Sequence, residues 1–250
     1  MILTILILVA ITIALAVRLA RGIAQGRTIF AVEADRPHGF GYKMAWLAVR
    51  TRDTAAVVEA LGLVAPEPAN WNSGIGAVYD HELGERHIFV SPPVDGWTFV
   101  VGLSLPHPVG SGLVDKLTPL LVGLGGRFIE IQYYFSYPPL DLFAWARVVD
   151  GRLVRAFAIG DEGVVWSKGK ATREERALGL RAFELRGVKG RRGDAGGEMV
   201  LYPTEDHVMR LAQRWSRDPT RLGAGDASPA LGVVARSPSA WRSERVRRAA

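Results

Sequence analysis

The chain has 250 residues, 48% of them apolar and none of them cysteine. That length supports one large domain or two small ones with a substantial core, and the missing thiols exclude disulfides, iron–sulfur clusters, cysteine-ligated zinc and thiol nucleophiles. The net charge of +6 sits at the flanks, with three arginines and no acid in 1–27, six arginines against Asp226 and Glu244 in 219–250, and 22 basic against 23 acidic residues between them; this counts against nucleic acid as a partner of the folded middle.

Residues 1–17 carry no charge. As a helix they rise about 25 Å, and with Arg18 snorkelling, Leu19 and Ala20 complete a span of about 30 Å. The reading is a single transmembrane anchor over 1–20. A buried core helix competes with it, as does a cleaved signal peptide, for which Ala14-Leu15-Ala16 has the right spacing but no positive segment precedes the apolar run. Arg18, Arg21 and Arg27 follow directly, so the positive-inside rule places the bulk of the chain on the cytoplasmic side of an inner membrane as a single-pass protein. Residues 21–41, punctuated by Gly22, Gly26, Pro37, Gly39 and Gly41, read as a juxtamembrane linker.

The folded body is expected over 42–218. Residues 44–49 (MAWLAV) form a strand apolar on both faces and therefore central. Asp53 caps a short helix over 54–61. Residues 64–76 read as a Pro/Asn/Gly-rich loop holding Trp71, and 75–79, 87–91 and 97–103 as strands. A helix over 112–123 follows Ser111, with Pro119 kinking it or ending its first part. Residues 127–135 alternate as a strand, and 142–149 and 152–159 make a hairpin across Asp150-Gly151. A short strand is expected at 163–167. Thr172 and Glu175 fit a capping box for a helix reaching about residue 185, and Thr204 opens another to about 217. From 219 to 250 the chain is rich in Ala, Gly, Ser, Pro and Arg and reads as a basic disordered tail. A strand, Asp-Gly turn and strand recur 55 residues apart (87–102 and 142–157), a pattern that duplication and ordinary hairpin grammar both produce. The expected fold class is α+β: an N-terminal single transmembrane helix, then one domain with a mostly antiparallel or mixed sheet and three to four helices.

No motif for chemistry is specific. Gly123-Leu124-Gly125-Gly126 lacks the third glycine of a dinucleotide fingerprint and precedes a strand instead of following one. Ser91, Ser104, Ser111 and Ser136 lie near expected strand ends, and none sits in a nucleophile elbow. Glu130 within a strand is read as wet or paired with Arg127, Arg147 or Arg155. The densest histidine and carboxylate cluster is Asp80, His81 and His87, with Glu82 and Glu85. It offers a metal site or a hydrolase centre as the alternative to a solvated turn. Among the aromatics, Trp71 in its polar loop and Tyr133, Tyr134 and Tyr137 are the candidate contact residues, against the plainer reading that they fill a core.

The resulting expectation is a membrane-anchored, non-catalytic domain that binds a protein partner through Trp71, Tyr133, Tyr134 and Tyr137, with no cofactor. The lipid bilayer is a partner through 1–20. The C-terminal arginines Arg242, Arg245, Arg247 and Arg248 beside Trp241 offer contact with anionic lipid, compete with a simple solvated end, and make nucleic acid a lesser reading.

Overall fold

A computed structural model of the protein describes residues 30–109, 112–160, 163–180 and 203–244. The chain divides into two compact units, Met1–Phe30 and Ala31–Ala250, and every described helix and strand belongs to the second. Nine strands form one sheet: β1 (Met44–Val49), β2 (Val64–Ala69), β3 (His87–Val90), β4 (Thr98–Val101), β5 (Glu130–Tyr137), β6 (Leu142–Val149), β7 (Arg152–Gly160), β8 (Gly163–Lys168) and β9 (Gly232–Arg236). Their order is β2-β9-β3-β4-β1-β5-β6-β7-β8, and every pair is antiparallel. The described α-helices are five: α1 (Thr54–Ala60), α2 (Trp71–Tyr79), α3 (Leu117–Gly125), α4 (Arg173–Ala177) and α5 (Glu205–Trp215).

Antiparallel sheets often leave one face to water, but this one is covered on both, which is why β1 is buried at all six positions. On one face Ala45, Leu47 and Val49 of β1 share a core with Val57 of α1 and with Leu117, Leu121 and Leu124 of α3. On the opposite face Trp46 stacks on Tyr134 with ring centroids 5.0 Å apart, and Tyr134 meets Trp215 of α5 at 5.9 Å. Helix α2 covers the same face through Trp71, which meets Phe89 edge-on at 5.5 Å. The approach of α2 needs Gly74, since a Cβ there would lie 2.2 Å from the Phe89 ring. Both Asp-Gly turns are tight left-handed pairs, Asp95-Gly96 at φ 49° and 81° and Asp150-Gly151 at φ 48° and 73°. These are the conformations for which Asp-Gly is selected in two-residue hairpins.

Polar clamps fasten helices to the second face. Arg147 of β6 and Arg155 of β7 stand directly opposite each other in register, a like-charge pairing that costs stability unless each charge is answered. Glu130 Oε1 accepts from Arg147 Nε at 2.8 Å. Glu175 of α4 accepts from Arg155 Nε at 2.8 and 3.0 Å. Both Arg155 and Glu175 are only 1% exposed. Glu175 also accepts the Trp145 indole N–H at 2.8 Å and closes the capping box with Thr172 N at 2.7 Å. One residue thus caps α4 and neutralises a buried guanidinium. Gln132 does similar work for α5. Its Nε2 donates to Glu130 and to the Trp215 carbonyl, and its Oε1 accepts from Tyr134 and Ser216, so the whole amide is satisfied.

Several expectations are corrected. The structure supports an α+β domain with five α-helices and a fully antiparallel nine-stranded sheet, and among the described residues no helix is long and apolar enough to cross a membrane. The anchor expected at 1–20 lies outside the described residues. The described fold therefore lends no support to a bilayer partner through 1–20 or to an inner-membrane, single-pass location. Residues 31–41 are not a free linker: Phe40 is buried, and Asp35 pairs with Ala230. The loop expected at 64–76 is β2 followed by the start of α2, and 75–79 is helix instead of strand. The described part of the 219–250 segment is no disordered tail, because it contains the 3-10 turn Pro219–Arg221, β9 and the 3-10 turn Ser239–Trp241. Residues 245–250 lie outside the described set, as does the 187–197 loop.

Removing one partner of a buried ion pair leaves the other charge stranded, at a cost of about 3–5 kcal/mol. Glu175→Ala is therefore expected to lose that much unfolding free energy in urea. A cycle with Arg155→Met should show a coupling of about 1–3 kcal/mol; additive losses would show that the clamp is not a unit. Gly74→Ala is expected to cost about 1–3 kcal/mol by overpacking against Phe89, read by the same titration.

Candidate functional site

The candidate site lies at one end of the sheet. There β9 ends at Arg236, opposite Val64 of β2 on one side and His87 of β3 on the other. The chain preceding β3 forms a compact turn. Asp80 Oδ1 accepts from Glu82 N at 2.9 Å and Leu83 N at 2.8 Å, and Gly84 N donates to the Asp80 carbonyl at 3.0 Å. A Cβ at Gly84 would lie 2.6 Å from that carbonyl and from that of Val78. This turn delivers Glu85 and Arg86 to the sheet end. After β9 the chain is tied down again: Ser237 N donates to the Arg86 carbonyl at 2.8 Å, and Trp241 N to that of Pro238 at 3.1 Å. Glu244 then receives Val114 N on its carbonyl at 2.9 Å and Lys116 Nζ on its carboxylate at 3.3 Å. The segment from Ser237 to Glu244 is thus a strap held at both ends.

Between the strap, the Glu85–Arg86 turn and the chain leaving β4 lies a cleft of about 430 Å³. Its charged lining is Arg86, Arg236, Arg242 and Glu85. All four are exposed, and none of the three arginines forms an ion pair among the described residues. Ser104, whose hydroxyl donates to the His87 carbonyl at 3.3 Å, lines it as well. So do Trp241, packed against the sheet core, and His107, whose ring lies 5.9 Å from that of Phe135. Burial pushes the His107 pKa down, and a hydrogen bond to the Leu105 carbonyl offsets this in part. Its imidazole is therefore neutral around pH 7. Guanidinium stays protonated at any ordinary pH, so the lining carries three fixed positive charges against one carboxylate.

The residues singled out from the sequence lie elsewhere. Trp71, Tyr133 and Tyr134 are 1%, 0% and 0% exposed and fill the core, so they present no contact surface; Tyr137 is half-buried and stacks on Phe135 at 6.0 Å. The indole of Trp71 is buried because its own backbone N–H is held by Asp35 Oδ1 at 2.6 Å, which seats the start of α2 against the sheet. The metal alternative is also corrected. Among the described residues no group of three or more His, Asp or Glu side chains is arranged to hold a metal ion. Asp80 spends its carboxylate on backbone N–H groups, which hold its pKa below the usual value; His87 Nδ1 lies 2.8 Å from the Leu83 carbonyl, and His81 is exposed. Among the C-terminal arginines assigned to lipid, Arg242 lines the cleft, while Arg245, Arg247 and Arg248 lie outside the described residues. Nothing in the sequence pairs Arg86 with Arg236 and Arg242; the only available signal was Trp241 standing among arginines at the end of the chain.

Comparison of the chain with protein-family models, with curated proteins and with solved structures finds no match.

The lowered His107 pKa fixes a sign. The unfolded chain takes up a proton near pH 6.5, whereas the folded chain resists it until lower pH, so His107 erodes stability as pH falls through that interval and has no effect above it. His207 shifts in the same direction. His107→Asn should flatten part of the stability decline below about pH 6.5 in denaturant titrations, leaving the His207 share. An unchanged slope would show that His107 titrates normally.

Proposed function

We propose that this domain is a binding module for an anionic small molecule, seated in the cleft of Arg86, Arg236 and Arg242, and that it is not an enzyme. One observation carries the reading: three arginines, Arg86 from one part of the chain and Arg236 and Arg242 from another, line one concave space with a single carboxylate, and none of them has an ion-pair partner among the described residues. Exposed arginines more commonly scatter or pair with acids. A cluster with fewer carboxylates than guanidinium groups suits a ligand that brings its own charge, and the planar guanidinium matches the two oxygens of a phosphate or carboxylate. The volume of about 430 Å³ falls within the range of about 300–1,000 Å³ found for small-molecule sites. Arginines supply charge and orientation but exchange no proton near neutrality, which favours retention of a ligand over its conversion.

Calorimetric titration of the full chain with pyrophosphate at low ionic strength is the direct test. Saturable binding is expected, weakened about tenfold or more by Arg236→Ala or Arg86→Ala, in keeping with about 1.5–3 kcal/mol for a charge-assisted hydrogen bond. Circular dichroism of the variants should match that of the parent. Absence of binding by the parent, or unchanged affinity in both variants, refutes the assignment.

A further inference from the structure

The cleft has two chemically different ends. A smaller recess of about 10 Å³ adjoins it and shares with it His107, Trp241 and Ser243. Arg86, Arg236 and Arg242 line the cleft but not this recess. His107 and Trp241 thus line both spaces, and the recess adds Pro106, Val109 and Val114 beside Lys116, whose charge Glu244 answers. Trp241 offers a flat indole whose backbone is fixed by the Pro238 turn and whose segment is tethered at Val114 and Lys116. A site built only for an inorganic anion has no use for that end.

The charges narrow the choice. Three arginines against Glu85 leave a formal surplus of two positive charges in the lining. A phosphate monoester carries about −1.5 to −2 at pH 7, which answers that surplus. A ring stacked on an aromatic side chain contributes about 1–3 kcal/mol.

We infer that the ligand is a phosphate monoester that carries an aromatic base, of the nucleoside monophosphate class, its phosphate among Arg86, Arg236 and Arg242 and its ring against Trp241 and His107. This rests on the anion-binding reading above. Ser243 lines both spaces and offers a hydroxyl to the sugar that joins base to phosphate.

The full chain is titrated with inorganic phosphate, ribose 5-phosphate, adenosine 5′-monophosphate, uridine 5′-monophosphate and adenosine, with calorimetry as readout. At least one nucleotide is expected to bind about tenfold or more tightly than ribose 5-phosphate. Trp241→Ala should erase that margin while leaving ribose 5-phosphate affinity unchanged, and Arg236→Ala should weaken nucleotide and ribose 5-phosphate alike. If Trp241→Ala does not fold, His107→Leu provides the same comparison, and the parent's margin between nucleotides and ribose 5-phosphate tests the idea without any variant. Both nucleotides binding no more tightly than ribose 5-phosphate would overturn the aromatic half and leave the anion reading intact. No binding by any phosphate would overturn both. A ten-nucleotide RNA binding tenfold more tightly than either mononucleotide would overturn the small-molecule assignment in favour of a polymer.

Discussion

The architecture turns on where β9 sits. A strand from near the C-terminus is inserted between β2 and β3, paired with both. Without it, β2 has no place in the sheet, since its described pairing is with β9 alone. With it, Arg236 is carried to the sheet end beside Arg86, and the strap that follows has a fixed starting point at Ser237. The insertion demands close packing as well as hydrogen bonds: a Cβ at Gly232 would lie 2.5 Å from the Val90 carbonyl and 2.7 Å from the Phe89 ring. Phe89 is also the residue on which Gly74 of α2 rests. One aromatic side chain thus sets the seat of both a helix and a strand.

Covering both faces of an antiparallel sheet creates a second constraint. The strands bury polar side chains that a one-sided sheet would leave in water, among them Gln132, Ser136 and Arg155. Such groups cost stability unless their hydrogen-bonding capacity is met. Here each is met by a helix terminus or by a residue flanking one. Glu175 sits in the first turn of α4, Glu205 at the start of α5 accepts from Ser136, and Gln132 takes hold of the carbonyl at the end of α5. The cost of burial becomes positional information, because each helix can dock in only one place without stranding a polar group.

The arginines of the cleft obey the opposite rule. Arg155 is paired and buried and Arg147 paired and half-buried; Arg86, Arg236 and Arg242 are exposed and have no ion-pair partners among the described residues. The same residue type serves two purposes, divided by whether a carboxylate stands within reach. Lys116 reinforces the contrast, since it is taken up by Glu244 and helps to hold the strap instead of adding to the cleft's charge.

Much of the strand and helix pattern was legible from local signals alone. The two-sided apolar run of β1, the Asp-Gly turns, the Thr172–Glu175 capping box and the Asp53 cap are each set by residues a few positions apart, where pattern and propensity act directly. The elements that escaped notice share one physical cause, for their stabilising partners are remote in sequence. Helix α2 has a local cap in Asn70, which accepts from Ser73 N, but the Asp35 carboxylate takes the N–H groups of Trp71 and Asn72, and Gly74, which argues against a helix locally, is what lets it approach Phe89. Strand β2 carries Pro66 and Pro68, tolerable only because it lies at the sheet edge. Strand β9 lies in a stretch of Ala, Gly, Ser and Pro, so its small apolar run does not signal itself until β2 and β3 stand on either side. The cleft was invisible for the same reason. By itself the sequence determined which residues carry charge, which runs are apolar and where the chain turns tightly. Only the tertiary structure decided which arginines meet, because convergence of Arg86, Arg236 and Arg242 depends on long-range strand pairing that no local pattern encodes.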